Sequence, residues 1–231
     1  MRVLEAPLRQ GLADMGLALG DAQVVALLEY LDLIQKWNKV YNLTAVRDPA
    51  QMLTHHLLDS LAVVAPLRRQ LGLAPLPDTP TAVSASSAAP AVPSARLLDV
   101  GSGAGLPGAV VAVCCPDVLV HCVDTVAKKA AFIQQVAVGL GLSNLRGLHA
   151  RVESLTEQYD VVSARAFASL ADLAVWSRQA LAGQGVWMAM KGKLPSNEIA
   201  ALPLSVQVFH VEQLEVPGLD AQRCIVWMRP A

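Results

Sequence analysis

A glycine-rich stretch directly after a short apolar run is the part of this sequence best suited to chemistry. Residues 97–100 read Leu-Leu-Asp-Val, and residues 101–108 read Gly-Ser-Gly-Ala-Gly-Leu-Pro-Gly. Glycines admit backbone angles that other residues avoid, and they let a ligand approach the main chain closely. In parallel-sheet proteins such a turn holds a nucleotide-like cofactor at the carboxyl end of the first strand. The stretch therefore predicts a cofactor site, with a tight packing turn that binds nothing as the alternative.

Two residues of this stretch bear on which cofactor it would hold. The glycines also satisfy the dinucleotide pattern G-x-G-x-x-G, but that match alone is weak. Asp99 suits the ammonium group of an amino acid, whereas an anionic pyrophosphate would be repelled by it. Pro107 removes an amide donor from the first turn of the next helix, where a pyrophosphate would need several. The acid followed by glycines resembles the first motif of class I S-adenosylmethionine methyltransferases.

Asp124 is the second candidate for the cofactor site, because it ends a predicted strand about 20 residues after the loop. An acid at this place accepts hydrogen bonds from two ribose hydroxyls, which supports an adenosine ligand of either kind. The alternative is an N-cap for the helix that starts near Val126. Lys128 and Lys129 follow, and a solvated helix face is the expectation for them, with RNA contact as the alternative.

Alternating strands and helices must position these residues from Arg96 onward. Such alternation implies right-handed crossovers and an α/β, Rossmann-like fold with a seven-stranded, mostly parallel sheet. The turn at Pro217 and Gly218 is short, so the last two strands are expected to form an antiparallel edge hairpin. The predicted strands are 96–100, 119–124, 145–150, 159–164, 185–191, 206–215 and 223–229, and the predicted helices are 107–114, 126–140, 169–182 and 196–202.

The N-terminal part reads as helical. Apolar residues recur at helical spacing over 21–40, with Asp21 as the predicted N-cap. Asp48 is predicted to cap a second helix that runs to about Ala65. Five prolines among Ala, Ser and Thr over 74–95 predict an exposed linker. The predicted organisation is an N-terminal helical part (1–71), a linker (72–95) and a main domain (96–231).

Composition narrows the class of protein. The net charge is −1, so a nucleic-acid partner would need a local basic patch rather than a basic chain. The four cysteines show no C-x-x-C spacing and are expected to be buried thiols of a reducing cytosol. We find no signal-peptide pattern and no apolar stretch long enough to span a bilayer, which predicts a cytoplasmic protein without a membrane partner.

Five segments occur in a characteristic order along the chain. They are Tyr-Asn-Leu-Thr at 41–44, His-x-x-Asp-Ser at 56–60, the stretch at 99–108, Ser-Ala-Arg-Ala-Phe-Ala at 163–168 and Met-Lys-Gly at 190–192. Together they resemble the glucose-inhibited division protein B family, the bacterial small-subunit ribosomal RNA guanine-N7 methyltransferases, over roughly residues 22–70 and 96–229. The resemblance implies S-adenosylmethionine as methyl donor and guanine N7 in a loop of 16S ribosomal RNA, free or within the 30S subunit, as acceptor. A methyltransferase acting on a small molecule is the second hypothesis, and a NAD-dependent oxidoreductase is the third.

The resemblance also implies which residues hold the cofactor. Gly101, Gly103 and Leu106 would line it at the glycine loop, in addition to Asp124. Val152 and Glu153 would contact the adenine end, although a surface position is the alternative for Glu153.

Arg165 and Lys191 are the basic candidates, because each follows a predicted strand at the expected crevice. The guanidinium of Arg165 suits the cofactor carboxylate or an RNA phosphate, with an ion pair to Asp160 or Asp172 as the alternative. Lys191 is predicted to contact RNA or shape the site. Phe167 is a candidate platform for stacking the target base, and a core position is equally expected for it.

His56 and Asp59 share a helix face, since they are three residues apart. With Asn42, they are expected to form a buried polar network that docks the helical part on the main domain, or else to line the RNA entrance. A metal site is not expected there. Guanine N7 carries a lone pair and no proton, so we expect no general base and no single catalytic side chain. We also expect a monomer.

Overall fold

A seven-stranded sheet forms the centre of the protein. The structure is a computed structural model, and it describes residues 2–76 and 93–231, except for the side chain of Arg2. The strands of the sheet are β1 (Ala95–Val100), β2 (Val118–Asp124), β3 (Leu145–His149), β4 (Tyr159–Arg165), β5 (Leu181–Lys191), β6 (Val206–Leu214) and β7 (Arg223–Pro230). Their spatial order is β3-β2-β1-β4-β5-β7-β6. Strands β1 to β5 pair in parallel, and β7 is antiparallel to both β5 and β6. The predicted α/β fold with its antiparallel edge hairpin is confirmed.

Helices cover both faces of this sheet. Those before the sheet are α1 (Glu5–Asp14), α2 (Asp21–Tyr41), α3 (Pro49–Met52), α4 (Asp59–Leu61) and α5 (Val64–Gln70), with a π-helical turn over Leu53–Leu58 between α3 and α4. Those between the strands are α6 (Gly108–Cys114), α7 (Ala127–Gly139), α8 (Leu170–Trp176) and α9 (Ser196–Ala200). As predicted, Asp48 caps the helix at Pro49 by accepting from the Gln51 N–H at 2.9 Å. The sequence did not predict α1.

Three predicted helix boundaries are wrong. The helix predicted over 169–182 ends at Trp176, because Leu181 already pairs with Tyr159 as the start of β5. The N-cap of α2 is Gly20 rather than Asp21, which is the first helical residue and pairs with an arginine of α1. The helix after the glycine loop begins at Gly108, one residue after Pro107.

The core has two parts, one on each face of the sheet. Side chains alternate along a strand, so Leu97 of β1 faces one part and Leu98 the other. The first part contains the apolar faces of α1, α2, α6 and α7, and the second contains α8. All four cysteines are buried and unbridged, as expected.

Polar contacts fix the N-terminal helices on the sheet. The Tyr30 hydroxyl donates to the Ala104 carbonyl of the glycine loop at 2.6 Å. Arg68 of α5 makes two hydrogen bonds, of 2.8 and 3.1 Å, to the carboxylate of Asp117 before β2. Residues 77–92 of the predicted linker lie outside the described residues, and the division at 71 and 96 stays a prediction. Within the described ranges, no helix is long and apolar enough to cross a membrane.

Candidate active site

The glycine loop leaves the carboxyl end of β1 through a residue that must be glycine. Gly101 has φ +64°, a left-handed conformation that a side chain disfavours. A Cβ added there would lie 2.2 Å from Cδ2 of Phe167, far inside contact distance. The loop backbone at Gly101 therefore lies directly against the segment that follows β4, and no side chain at Gly101 covers the backbone there.

Asp99 holds this loop from inside the protein. Its fully buried carboxylate accepts from the Gly108 N–H and from the Ser163 Oγ, both at 3.0 Å. Burial raises the pKa of Asp99 to about 6, and these hydrogen bonds oppose that rise without cancelling it. The sequence-based hypothesis is that Asp99 helps to hold a cofactor ammonium group, directly or through water, and it stays a prediction. In the structure the carboxylate is directed to the loop's own backbone and to Ser163.

A first cavity of about 450 Å³ opens beside the loop, between the ends of β1, β2 and β4. Gly101, Asp124, Val152 and Glu153 line it, all of them predicted cofactor residues. The Asp124 carboxylate accepts from the backbone N–H groups of Gly103 at 3.1 Å and Val126 at 2.9 Å. Asp124 therefore borders the cavity, and its predicted contact with ribose hydroxyls stays a prediction. It also holds the backbone before α7, whose N-cap is Val126 rather than Asp124.

The far wall of the first cavity is apolar. Phe167 and Trp176 meet edge to face with ring centroids 5.8 Å apart, and both line the cavity. Val152 is buried, while Glu153 is half-exposed and lies 3.5 Å from an Arg151 nitrogen. Phe167 was predicted as a platform for the target base or a core residue. It packs against the second part of the core and also lines the first cavity, and its role as a platform stays a prediction. No motif or spacing pointed to Trp176 as a site residue.

A second cavity of about 520 Å³ lies on the other side of the loop, against the N-terminal helices. Gly101 and Ala166 belong to the walls of both cavities, so the two meet there. Ala166 has φ +51°, an uncommon conformation for a residue with a side chain. Gly103, Leu106 and Arg165, which were predicted with the cofactor residues, line the second cavity rather than the first.

A buried carboxylate organises the cationic wall of the second cavity. Asp59 Oδ2 accepts from Arg165 Nη1, and its Oδ1 accepts from Arg223 Nε, both at 2.8 Å. Arg165 also donates to the His55 carbonyl at 3.0 Å. The predicted alternative, an ion pair of Arg165 with Asp160 or Asp172, is therefore wrong. The sequence analysis missed Arg223, the first residue of β7, which lies at the carboxyl end of β5 because β7 runs antiparallel to β5.

Lys191 lies on the same wall, at the end of β5. Its ammonium donates to the Glu198 carboxylate at 2.8 Å and to the Ala168 carbonyl at 3.1 Å. Glu198 in turn accepts from the Leu170 N–H at 2.8 Å, which joins β5 to the start of α8. Lys191 therefore shapes the segment after β4 as well as lining the second cavity.

The predicted polar network between helices and sheet is present around Asp59 and His56. His56 Nε2 lies 2.8 Å from Thr44 Oγ1, and both residues line the second cavity. Burial lowers the pKa of His56, which favours the neutral imidazole at neutral pH. Asn42 is outside this network, since its side-chain oxygen accepts from Arg47 on the surface. The network docks the helices and also lines the second cavity, and the alternative that these residues line an RNA entrance stays a prediction.

Comparison with known proteins gives the family. A model of the rRNA small subunit methyltransferase G family, GidB, matches residues 23–71 and 82–226. The chain belongs to that family. The rRNA small subunit methyltransferase G of Acidovorax sp. strain JS42 is 65% identical over 226 residues, which cover 98% of this chain and 95% of that protein. The one of Albidiferax ferrireducens is 65% identical over 231 residues, covering 99% of this chain and 98% of that protein.

A solved structure supports the fold independently of the sequence. Coclaurine N-methyltransferase bound to N-methylheliamine and SAH superposes with a TM-score of 0.50, at 12% identity, over 80% of this chain and 58% of that one. The class I methyltransferase fold is thereby confirmed. A methyltransferase must bring a methyl donor and an acceptor together. In this member of the rRNA small subunit methyltransferase G family, the two cavities adjoin at Gly101 and Ala166.

Proposed function

We propose that this chain transfers the methyl group of S-adenosylmethionine to N7 of a guanine in a loop of 16S ribosomal RNA. The first cavity would hold the cofactor and the second would admit the guanine. The observation that carries this assignment is the wall that the cavities share at Gly101 and Ala166. Methyl transfer would take place beside that shared wall, where the two cavities adjoin.

The residues of the first cavity fit S-adenosylmethionine. Asp124 uses one lone pair of each carboxylate oxygen for a backbone N–H, and the remaining lone pairs can accept from two ribose hydroxyls. Val152 offers an apolar surface for the adenine, and the bare backbone at Gly101 permits close approach. When bound, S-adenosylmethionine supplies an electrophilic methyl carbon.

The second cavity suits an RNA acceptor because its wall is cationic. Arg165, Arg223 and Lys191 all line it, and each arginine keeps further N–H donors besides the one given to Asp59. These donors can hold phosphate oxygens, which fix the register of a bound strand. Guanine N7 faces the deep, narrow major groove of A-form RNA, so the target base must lie in a loop or be unstacked.

Alignment, rather than proton transfer, is the chemical task of these residues. Guanine N7 attacks through an in-plane lone pair and loses no proton. Both carboxylate oxygens of Asp59 accept hydrogen bonds from arginines, and one ring nitrogen of His56, Nε2, lies 2.8 Å from Thr44 Oγ1. The chain therefore contributes by orienting the base towards the shared wall and by excluding water around it.

Binding and transfer can be tested in two steps. Calorimetry should show S-adenosylmethionine and its demethylated product binding while NAD gives no heat. Tight binding of NAD alone would end the proposal. Label from the methyl group should then enter 30S subunits and no small nucleosides or amines.

A further inference from the structure

An exposed aromatic ring with cations beside it lies at the end of α2, outside the walls of both cavities. Tyr41 is 38% exposed, and the Lys128 ammonium lies 5.8 Å from the centroid of its ring. Arg47 donates at 3.1 Å to the side-chain oxygen of the residue after Tyr41. We call Trp37, Tyr41, Arg47 and Lys128 the Tyr41 patch.

Packing against the Trp37 ring holds the Tyr41 ring in place. Its centroid lies 5.1 Å from that of Trp37, which lies 5.3 Å from that of the fully buried Phe132. A ring fixed by packing loses little conformational freedom when a ligand stacks on it. Among the aromatic side chains of the described residues, Tyr41 and Trp176 are the exposed ones, and Trp176 belongs to the first cavity.

The charges of the patch remain at the surface. Arg47 donates to a neutral amide and Lys128 lies over a neutral ring, and both side chains are exposed. The carboxylate of the neighbouring Asp48 is directed to the backbone N–H of Gln51, where it caps α3. The patch therefore combines a stacking surface with two cations, which is the combination that binds single-stranded nucleic acid.

The patch borders both cavities along the chain. Leu43, Thr44 and Val46, which lie between Tyr41 and Arg47, line the second cavity. Tyr41 and Leu43 are two residues apart, so their Cα atoms are at most about 7 Å apart. Lys129, next to Lys128 in α7, lines the first cavity. A strand whose guanine enters the second cavity therefore passes within reach of the patch.

We propose that the Tyr41 patch is a second RNA-binding surface, which holds a nucleotide flanking the target guanine. A flanking base stacks on Tyr41, while Arg47 and Lys128 bind phosphates. This inference rests on the proposed RNA substrate. It explains how a chain of net charge −1 with 4% aromatic residues engages RNA, since the patch adds local charge and a stacking surface next to the cavity.

Variants of the full chain test this proposal by binding to 30S subunits at several salt concentrations. Lys128→Glu should weaken binding and lower the slope of log affinity against log salt by about one phosphate contact. Tyr41→Ala should weaken binding about 5- to 150-fold, and Tyr41→Phe should restore it. The matched control is Arg229→Glu, which makes the same charge change where Arg229 lies 5.4 Å from the centroid of the Phe209 ring at the other end of β7.

All variants should keep the affinity for S-adenosylmethionine and the thermal midpoint of the parent, and kcat should stay constant while KM rises for the patch variants. The proposal is overturned if the patch variants bind 30S subunits as the parent does. It is also overturned if the affinity of Lys128→Glu falls with an unchanged salt slope, which would indicate that Lys128 contacts protein rather than a phosphate. Binding to 30S subunits is measured without methyl transfer, so the two proposals can fail separately. A parent protein that binds but does not methylate refutes the proposed function. The binding of the patch variants then still decides whether the patch contacts RNA.

Discussion

Replacing Asp99 by asparagine tests the electrostatics of the glycine loop separately from ligand binding. Burial raises the pKa of this carboxyl from 3.8 to about 6. At ~1.36 kcal/mol per pKa unit, the charged carboxylate destabilises the folded state by about 3 kcal/mol well above pH 6. Because the folded carboxyl binds its proton more tightly than the unfolded one, this contribution to stability falls as pH rises from ~4 to ~6 and is constant above that.

In Asp99→Asn, the side-chain oxygen can still accept from the Gly108 N–H, and the amide can donate to Ser163 Oγ. One amide hydrogen stays unpaired, at about 1 kcal/mol. The variant should therefore be more stable than the parent by about 2 kcal/mol at pH 8. The difference should vanish near pH 4.5, where the penalty of the carboxyl has fallen to about 1 kcal/mol.

Urea unfolding of both proteins at the two pH values measures this difference. Ser163→Ala is the control, because it removes a hydrogen bond to the charged carboxylate and should destabilise the protein by about 1–2 kcal/mol at pH 8. A variant Asp99→Asn that is less stable than the parent at pH 8, or whose advantage does not change with pH, would refute the reasoning.

Three further predictions concern the site. Gly101→Ala should lose S-adenosylmethionine affinity in calorimetry far more than Gly103→Ala: both residues have positive φ, but only at Gly101 would the new Cβ meet the Phe167 ring. Asp59→Asn should lower the free energy of unfolding by about 2–3 kcal/mol and raise KM for RNA, because two arginines lose a buried partner; unchanged urea midpoints would argue against it. The rate of single-turnover transfer should show no ionisation between pH 6 and 9 that a substitution abolishes, and one that disappears in a variant of His56 would contradict direct attack by N7.

The strands were predictable because their apolar runs are short and separated by helical patterns, and all of β1 to β7 lie within a few residues of their predicted positions. The helix boundary at Trp176 was not predictable, since helical spacing continues to Leu181 and only pairing with Tyr159 turns that residue into strand. The spacing of apolar residues along the chain cannot show that a residue pairs with a strand distant in sequence.

The same limit applies to the site. Motif positions identified Gly101, Asp124 and Val152, because a strand end and its following turn are local features. They did not reveal that Asp59 holds Arg165, a contact across more than a hundred residues, or that Phe167 faces the first cavity. Such contacts depend on how the N-terminal helices dock, and no local pattern encodes that geometry.

The identity of the methylated nucleoside tests the central claim most directly. The 30S subunits would be isolated from cells that lack this enzyme and incubated with methyl-labelled S-adenosylmethionine and the protein. One portion of their 16S RNA would then be digested to nucleosides to identify the labelled base, and a second portion to oligonucleotides to locate it. We predict that the label is 7-methylguanosine and maps to one loop. Label in any other nucleoside, or transfer to small molecules with none to RNA, would contradict the account.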